Sequence, residues 1–87
     1  MLSERALIYR DIFRNKKIPD GGYSLMYDPS DHENDDSFCL KQEGDVWVIY
    51  YFQQGRREDF AWAKSEDRAF AVLEGLLQSS YGAWTPR

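Results

Sequence analysis

The chain has 87 residues, enough for one domain (1–87) and too few for a second core. At 43% hydrophobic, 16% aromatic and 30% charged residues, it reads as a folded protein rather than a disordered one. Its net charge of −4 and pI of about 4.8 disfavour phosphate backbones and anionic lipid surfaces, so neither nucleic acid nor membrane is expected as a partner, and a basic protein suits it better.

No apolar run reaches the length of a membrane span, and charges are spread through Met1 to Arg14, so no secretory h-region is expected. The single Cys39 cannot form an internal disulfide. Both features point to a reducing, cytoplasmic setting in which the apolar core alone supplies stability. Three Trp, six Tyr and five Phe exceed what one small core absorbs, so part of this aromatic surface is expected to face a partner.

Ser3 to Lys17 predicts the first helix. Ser3 is the N-cap, Glu4 and the Lys16–Lys17 pair suit the two ends of the dipole, and Leu2, Ala6, Tyr9 and Phe13 form an apolar stripe. Pro19, Asp20, Gly21 and Gly22 stop it. Tyr23 to Tyr27 alternates as a short strand, an acidic loop runs from Asp28 to Ser37, and a second strand covers Phe38 to Lys41.

Glu43-Gly44-Asp45 turns the chain into Val46 to Phe52, apolar on both faces and therefore central in a sheet. Gln53 to Arg56 makes a hairpin loop. A fourth strand from Glu58 to Ala63 places Phe60 and Trp62 on one side, Ala61 and Ala63 on the other. Ser65 to Ser79 is the second helix, with Ala69, Phe70, Val72, Leu73, Leu76 and Leu77 as its stripe. Gly75 within it costs about 1 kcal/mol relative to Ala unless a ring from the sheet packs there. The tail from Ser80 to Arg87 reads as irregular.

Short connections favour an antiparallel four-stranded meander in an α+β fold, with the N-terminal and C-terminal helices packed on one face. On the central strand Val46, Val48, Tyr50 and Phe52 point one way and Trp47, Ile49 and Tyr51 the other. Whichever set meets the helices, large side chains remain on the opposite, open face.

A catalytic set is not apparent. His32 and Cys39 are the only His and Cys, and no third group orients them. Cys39 alternates with Phe38 and Leu40, as a small side chain packed beside the core would. Asp28, Asp31, Glu33, Asp35 and Asp36 crowd one loop, but their spacing does not fit a calcium loop, and one His with one Cys does not make a zinc site. A solvated loop accounts for them. A negative patch on a mobile loop, steering a basic partner into contact, is the functional alternative. Glu58 and Asp59 beside Arg56 and Arg57 read as a charged hairpin rim. No cofactor or metal is expected.

From Tyr23 to Leu77 the chain resembles small immunity proteins of bacterial polymorphic toxin systems. The resemblance rests on Tyr23-Ser24-Leu25, an acidic stretch, Phe38-Cys39-Leu40 and a glycine turn. It continues through Trp47-Val48-Ile49-Tyr50-Tyr51, a loop with Gly55 and Arg57, then Phe60, and Ser65-Glu66 opening a helix with Ala69. Relatives often carry an acidic–basic pair where this chain has Gln53 and Gln54. The resemblance implies a non-enzymatic inhibitor that binds a cognate toxin and blocks its active site in a 1:1 complex. Such toxins include NAD glycohydrolases and nucleases. Trp47, Tyr51, Trp62, Arg56 and Arg57 join the acidic loop as candidate contact residues, since Trp, Tyr and Arg dominate interface energetics. An adaptor or regulatory module that accepts a peptide strand is the alternative, and a small nucleotide hydrolase a third.

Overall fold

The computed structural model describes residues 1–81. Helix α1 (Glu4–Asn15) and a short 3-10 turn (Asp20–Gly22) lead into strands β1 (Tyr23–Met26), β2 (Ser37–Glu43), β3 (Val46–Gln53) and β4 (Arg56–Ala63), followed by helix α2 (Glu66–Tyr81). The chain is α+β. Of the tail read as irregular, Ser80 and Tyr81 continue α2, and the remainder lies outside the described residues.

Local chemistry sets the helix ends. The Ser3 hydroxyl accepts from the Ala6 N–H at 3.1 Å, and the Ser65 hydroxyl from the Arg68 N–H at 3.2 Å, each satisfying an orphan donor of a first turn. Helix α1 stops two residues before the predicted Lys17, in a Schellman motif. Lys17 takes φ 62°, the Ile18 N–H donates to the Phe13 carbonyl at 2.9 Å, and the Lys17 N–H donates to that of Arg14 at 3.0 Å. Ile18 and Phe13 are both buried and supply the apolar contact that accompanies such a cap.

The sheet runs in the order β1-β2-β3-β4, and it corrects the expected antiparallel meander: β1 pairs with β2 in parallel, while β2–β3 and β3–β4 are antiparallel. The cause is the connection. Residues 27–36 do not turn back as a hairpin but return alongside β1, starting β2 level with the start of its neighbour, so that Tyr23 faces Phe38. A four-residue strand is about 13 Å long, and ten residues reach well beyond that, so no crossover helix is needed.

The other two connections are tight hairpins of two residues each. Gly44 takes φ 68°, and Gln54 and Gly55 take φ 52° and 75°, as turns matched to strand twist require.

Pleat parity divides the sheet. Tyr23, Leu40, Ile49 and Ala63 join Ala6 and Phe13 of α1 and Ala69, Phe70, Leu73 and Leu77 of α2 in the principal core. Tyr9 stacks on Phe70 at 4.7 Å, and Phe13 meets Tyr23 edge-on at 4.9 Å. Trp47, Ile49 and Tyr51 therefore face the helical side, and Val48 and Tyr50 the other. In β4 the expected grouping of Phe60 with Trp62 is overturned. Ile49 pairs with Ala61 and Tyr50 with Asp59, leaving Phe60 as an unpaired bulge residue. The bulge turns Phe60 to the helical side, edge-on to Phe38 at 5.4 Å, while Trp62 opposite Val48 points away. Gly75 is exposed, and a Cβ there would meet nothing within 4 Å, so no ring from the sheet packs against it.

Candidate protein-binding surface

The second sheet face is not open. Cys39, Val48 and Tyr50 are fully buried on it although, among the described residues, no helix residue belongs to their cluster. Val46 and Phe52 pack against them, and a guanidinium and a loop add to the cover. The Arg57 guanidinium lies over the Tyr50 ring at 4.3 Å, held by Glu43 through two hydrogen bonds of 2.7 and 2.9 Å and by Asp59 at 2.7 Å. The loop 27–36 closes the other side, where the Tyr50 hydroxyl donates to Glu33 at 2.8 Å. Burial, followed by the neighbouring Glu33 carboxylate, pushes the Tyr50 phenol above its usual range. The Arg57 fork holds the Glu43 carboxyl below the usual carboxylate range.

This arrangement changes the reading of the acidic loop, which is pinned rather than mobile. Asp31 accepts from the backbone N–H groups of Asp28 (2.7 Å) and Tyr27 (3.0 Å), and these bonds lower its pKa. Asp35 accepts from the Gln54 N–H at 2.7 Å, tying the loop to the β3–β4 hairpin, and Asp28 pairs with the amino terminus. Asn34 donates its backbone N–H to Ser24 at 2.9 Å, and Ser24 and Ser37, both buried, share a hydrogen bond of 2.9 Å. Asp36 takes the left-handed conformation at φ 58° just before β2. Four of the five carboxylates thus have partners inside the molecule: Asp31 satisfies the loop's own backbone, and Asp28, Glu33 and Asp35 tie the loop to the amino terminus, Tyr50 and the β3–β4 hairpin.

The ten residues singled out from the sequence do not form one surface. Trp47 and Tyr51 are half-buried on the helical side, Trp47 against Tyr27 at 5.7 Å and Tyr51 against Phe38 at 5.0 Å. Arg57 and Trp62 lie on the opposite face, and Arg56 pairs with Gln53 at the hairpin end. Trp62 is 61% exposed and Phe60 48%, both on β4, which has no strand on its outer side among the described residues. Arg56, by contrast with Arg57, has no carboxylate within ion-pair distance among the described residues.

Sequence reasoning passed over Val46, Lys64 and Arg68, which with Trp62 and Ala63 line a shallow depression of about 390 Å³. A signal was present: Lys64 follows β4 directly, two residues after Trp62, and Arg68 falls in the first turn of the next helix. Among the described residues no group of three or more His, Cys, Asp or Glu is placed to hold a metal ion, and no helix is long and apolar enough to cross a membrane.

Leu7 and Ile8 of α1 are also exposed, at 42% and 46%, but Trp62 is the more exposed ring on the sheet and has no ring partner among the described residues, whereas Phe60 meets Phe38. No family model, curated protein or solved structure matches this chain.

Proposed function

We propose that this chain is a non-catalytic protein-binding domain, and that it acts in the cytoplasm as an immunity protein occluding the active site of a cognate toxin. The observation that carries the binding reading is Trp62, 61% exposed on an edge strand with Phe60 exposed on its other side. A tryptophan in that position leaves a large apolar area in water, and interfaces are anchored by such residues. In this reading both helices back the same face of the sheet, and β4 is left for the partner. Trp62 and Arg56 can meet a partner without rearrangement, whereas Trp47 and Tyr51 would contribute only their exposed edges. The toxin as partner rests on the resemblance of the segment from Tyr23 to Leu77 to polymorphic-toxin immunity proteins.

The test is to identify a toxin domain encoded beside this chain and co-express the two. Trp62→Ala is expected to abolish protection while leaving the melting temperature within about 2 °C of the parent, because an exposed side chain contributes little to folding. Full protection by a stably folded Trp62→Ala variant would refute the surface, and absence of protection by the parent chain would refute the function. The adaptor reading draws support from one feature, the end of β4 from Ala61 to Ala63. Beyond the bulge it presents an edge able to accept a strand.

A further inference from the structure

The chain is acidic overall, yet its exposed tryptophan sits in basic surroundings. The depression beside Trp62 is walled by Val46, Ala63, Lys64 and Arg68, with no acidic residue among them. Neither Lys64 nor Arg68 has a carboxylate within ion-pair distance among the described residues. The nearby carboxylates are mostly committed elsewhere: Glu43 and Asp59 to Arg57, Asp67 to Arg5, Glu66 to Ser3 and Tyr27. Asp45, on the turn next to Val46, has no such cation partner among the described residues but does not line the depression.

We infer that the depression at Trp62 docks an acidic segment of a protein partner, one that places an apolar side chain against Trp62 between carboxylates facing Lys64 and Arg68. The inference rests on the protein-binding reading above and specifies the chemistry of the contact. It departs from the expectation drawn from the net charge of −4 because the cations are local to Trp62, while the acidic loop carboxylates are held by bonds to the loop, the hairpin, Tyr50 and the amino terminus. Two cations beside an exposed ring, with no ion-pair partner among the described residues, select for opposite charge and repel a basic surface, and they do so over the Debye length, before contact is made.

Two short synthetic peptides decide it, each with a central Leu-Phe pair, flanked by glutamates in one and by lysines in the other. They are titrated into the full chain while the Trp62 indole N–H resonance is followed by NMR, its assignment fixed with Trp62→Phe. The glutamate peptide is expected to shift that resonance saturably, and the lysine peptide is not. The double variant Lys64→Glu/Arg68→Glu is expected to weaken the glutamate peptide by about 10-fold or more, equivalent to about 1.4 kcal/mol, and to admit the lysine peptide. Equal or tighter binding of the lysine peptide to the parent chain, no shift at Trp62 with either peptide, or an unchanged affinity in a folded double variant would overturn the inference. None of these results bears on Trp62-dependent protection against a toxin, so the two readings fail separately.

Discussion

Arg57 is the residue whose replacement most sharply separates a structural from a contact role. Arg57→Ala removes the guanidinium from the Tyr50 ring, its fork from Glu43 and its Nε bond to Asp59. The cation–π contact is worth about 0.5–2 kcal/mol. The side chain is 35% exposed, so its ion pairs are screened and together contribute about 1 kcal/mol rather than the full strength of a buried bidentate pair. Uncovering the ring of Tyr50, otherwise fully buried, adds a further fraction through lost packing.

The sum is roughly 1.5–3 kcal/mol. In a domain of this size that lowers the melting temperature by roughly 6–24 °C. Arg57→Lys restores the charge but neither the planar fork nor the stacking, and its melting temperature should fall between those of parent and alanine variant. Thermal denaturation followed by circular dichroism reads both, and a double-mutant cycle with Glu43→Gln isolates the pair. If Arg57→Ala melts within 1 °C of the parent, the guanidinium is not a seal on the second face, and the reasoning from its geometry is wrong.

Three further outcomes follow from the same structure. Gly75→Ala should stabilise the chain by about 1 kcal/mol, because the position is exposed in mid-helix and a methyl group meets nothing. A lower midpoint in urea would show an undescribed contact there. Gln54→Asn should raise stability by roughly 0.5 kcal/mol, since Asn tolerates the left-handed φ of 52° better and creates an Asn-Gly turn. An unchanged or lower melting temperature would count against it.

Stability should also fall in acid. Glu43, bonded by Arg57, and Asp31, bonded by the Asp28 and Tyr27 N–H groups, both have folded-state pKa values below their ordinary ones. The unfolded chain therefore takes up protons first, and their stabilisation, present above about pH 4–5, is lost as the pH drops through the depressed values. Urea midpoints that stay level from pH 6 to pH 2.5 would contradict this.

The helices and the β2–β3–β4 hairpins were legible in the sequence because their determinants are local. Ser3 and Ser65 cap, Gly44 and Gly55 turn, and apolar periodicity marks the strands. What stayed hidden is set by contacts between distant residues. A loop of ten residues looks the same whether it ends in a hairpin or a crossover. The parallel register of Tyr23 with Phe38 comes from Asn34 and Ser37 finding Ser24, a pairing without sequence periodicity. The bulge at Phe60 reversed the parity of β4, and one inserted residue is enough to do that.

The candidate site was half legible. Trp62 stood out as a large ring on a short strand, but the partnering of the acidic loop inside the fold could not be read from its composition. The carboxylates that looked like an invitation to a basic ligand are occupied by backbone N–H groups, Tyr50 and the amino terminus.

The sealed second face gives the molecule a built-in clock. Cys39 is fully buried beneath Glu33, Tyr50 and the two serines, and burial pushes its thiol above the ordinary range. A thiol reagent can reach it only when the segment from Tyr27 to Asp36 lifts or the whole domain opens. The labelling rate of this one cysteine, measured against denaturant, therefore counts how often the crossover detaches from the sheet. A rate that falls with Arg57 and Glu33 intact and rises when either is replaced would time the loop's release with an atom the protein already carries.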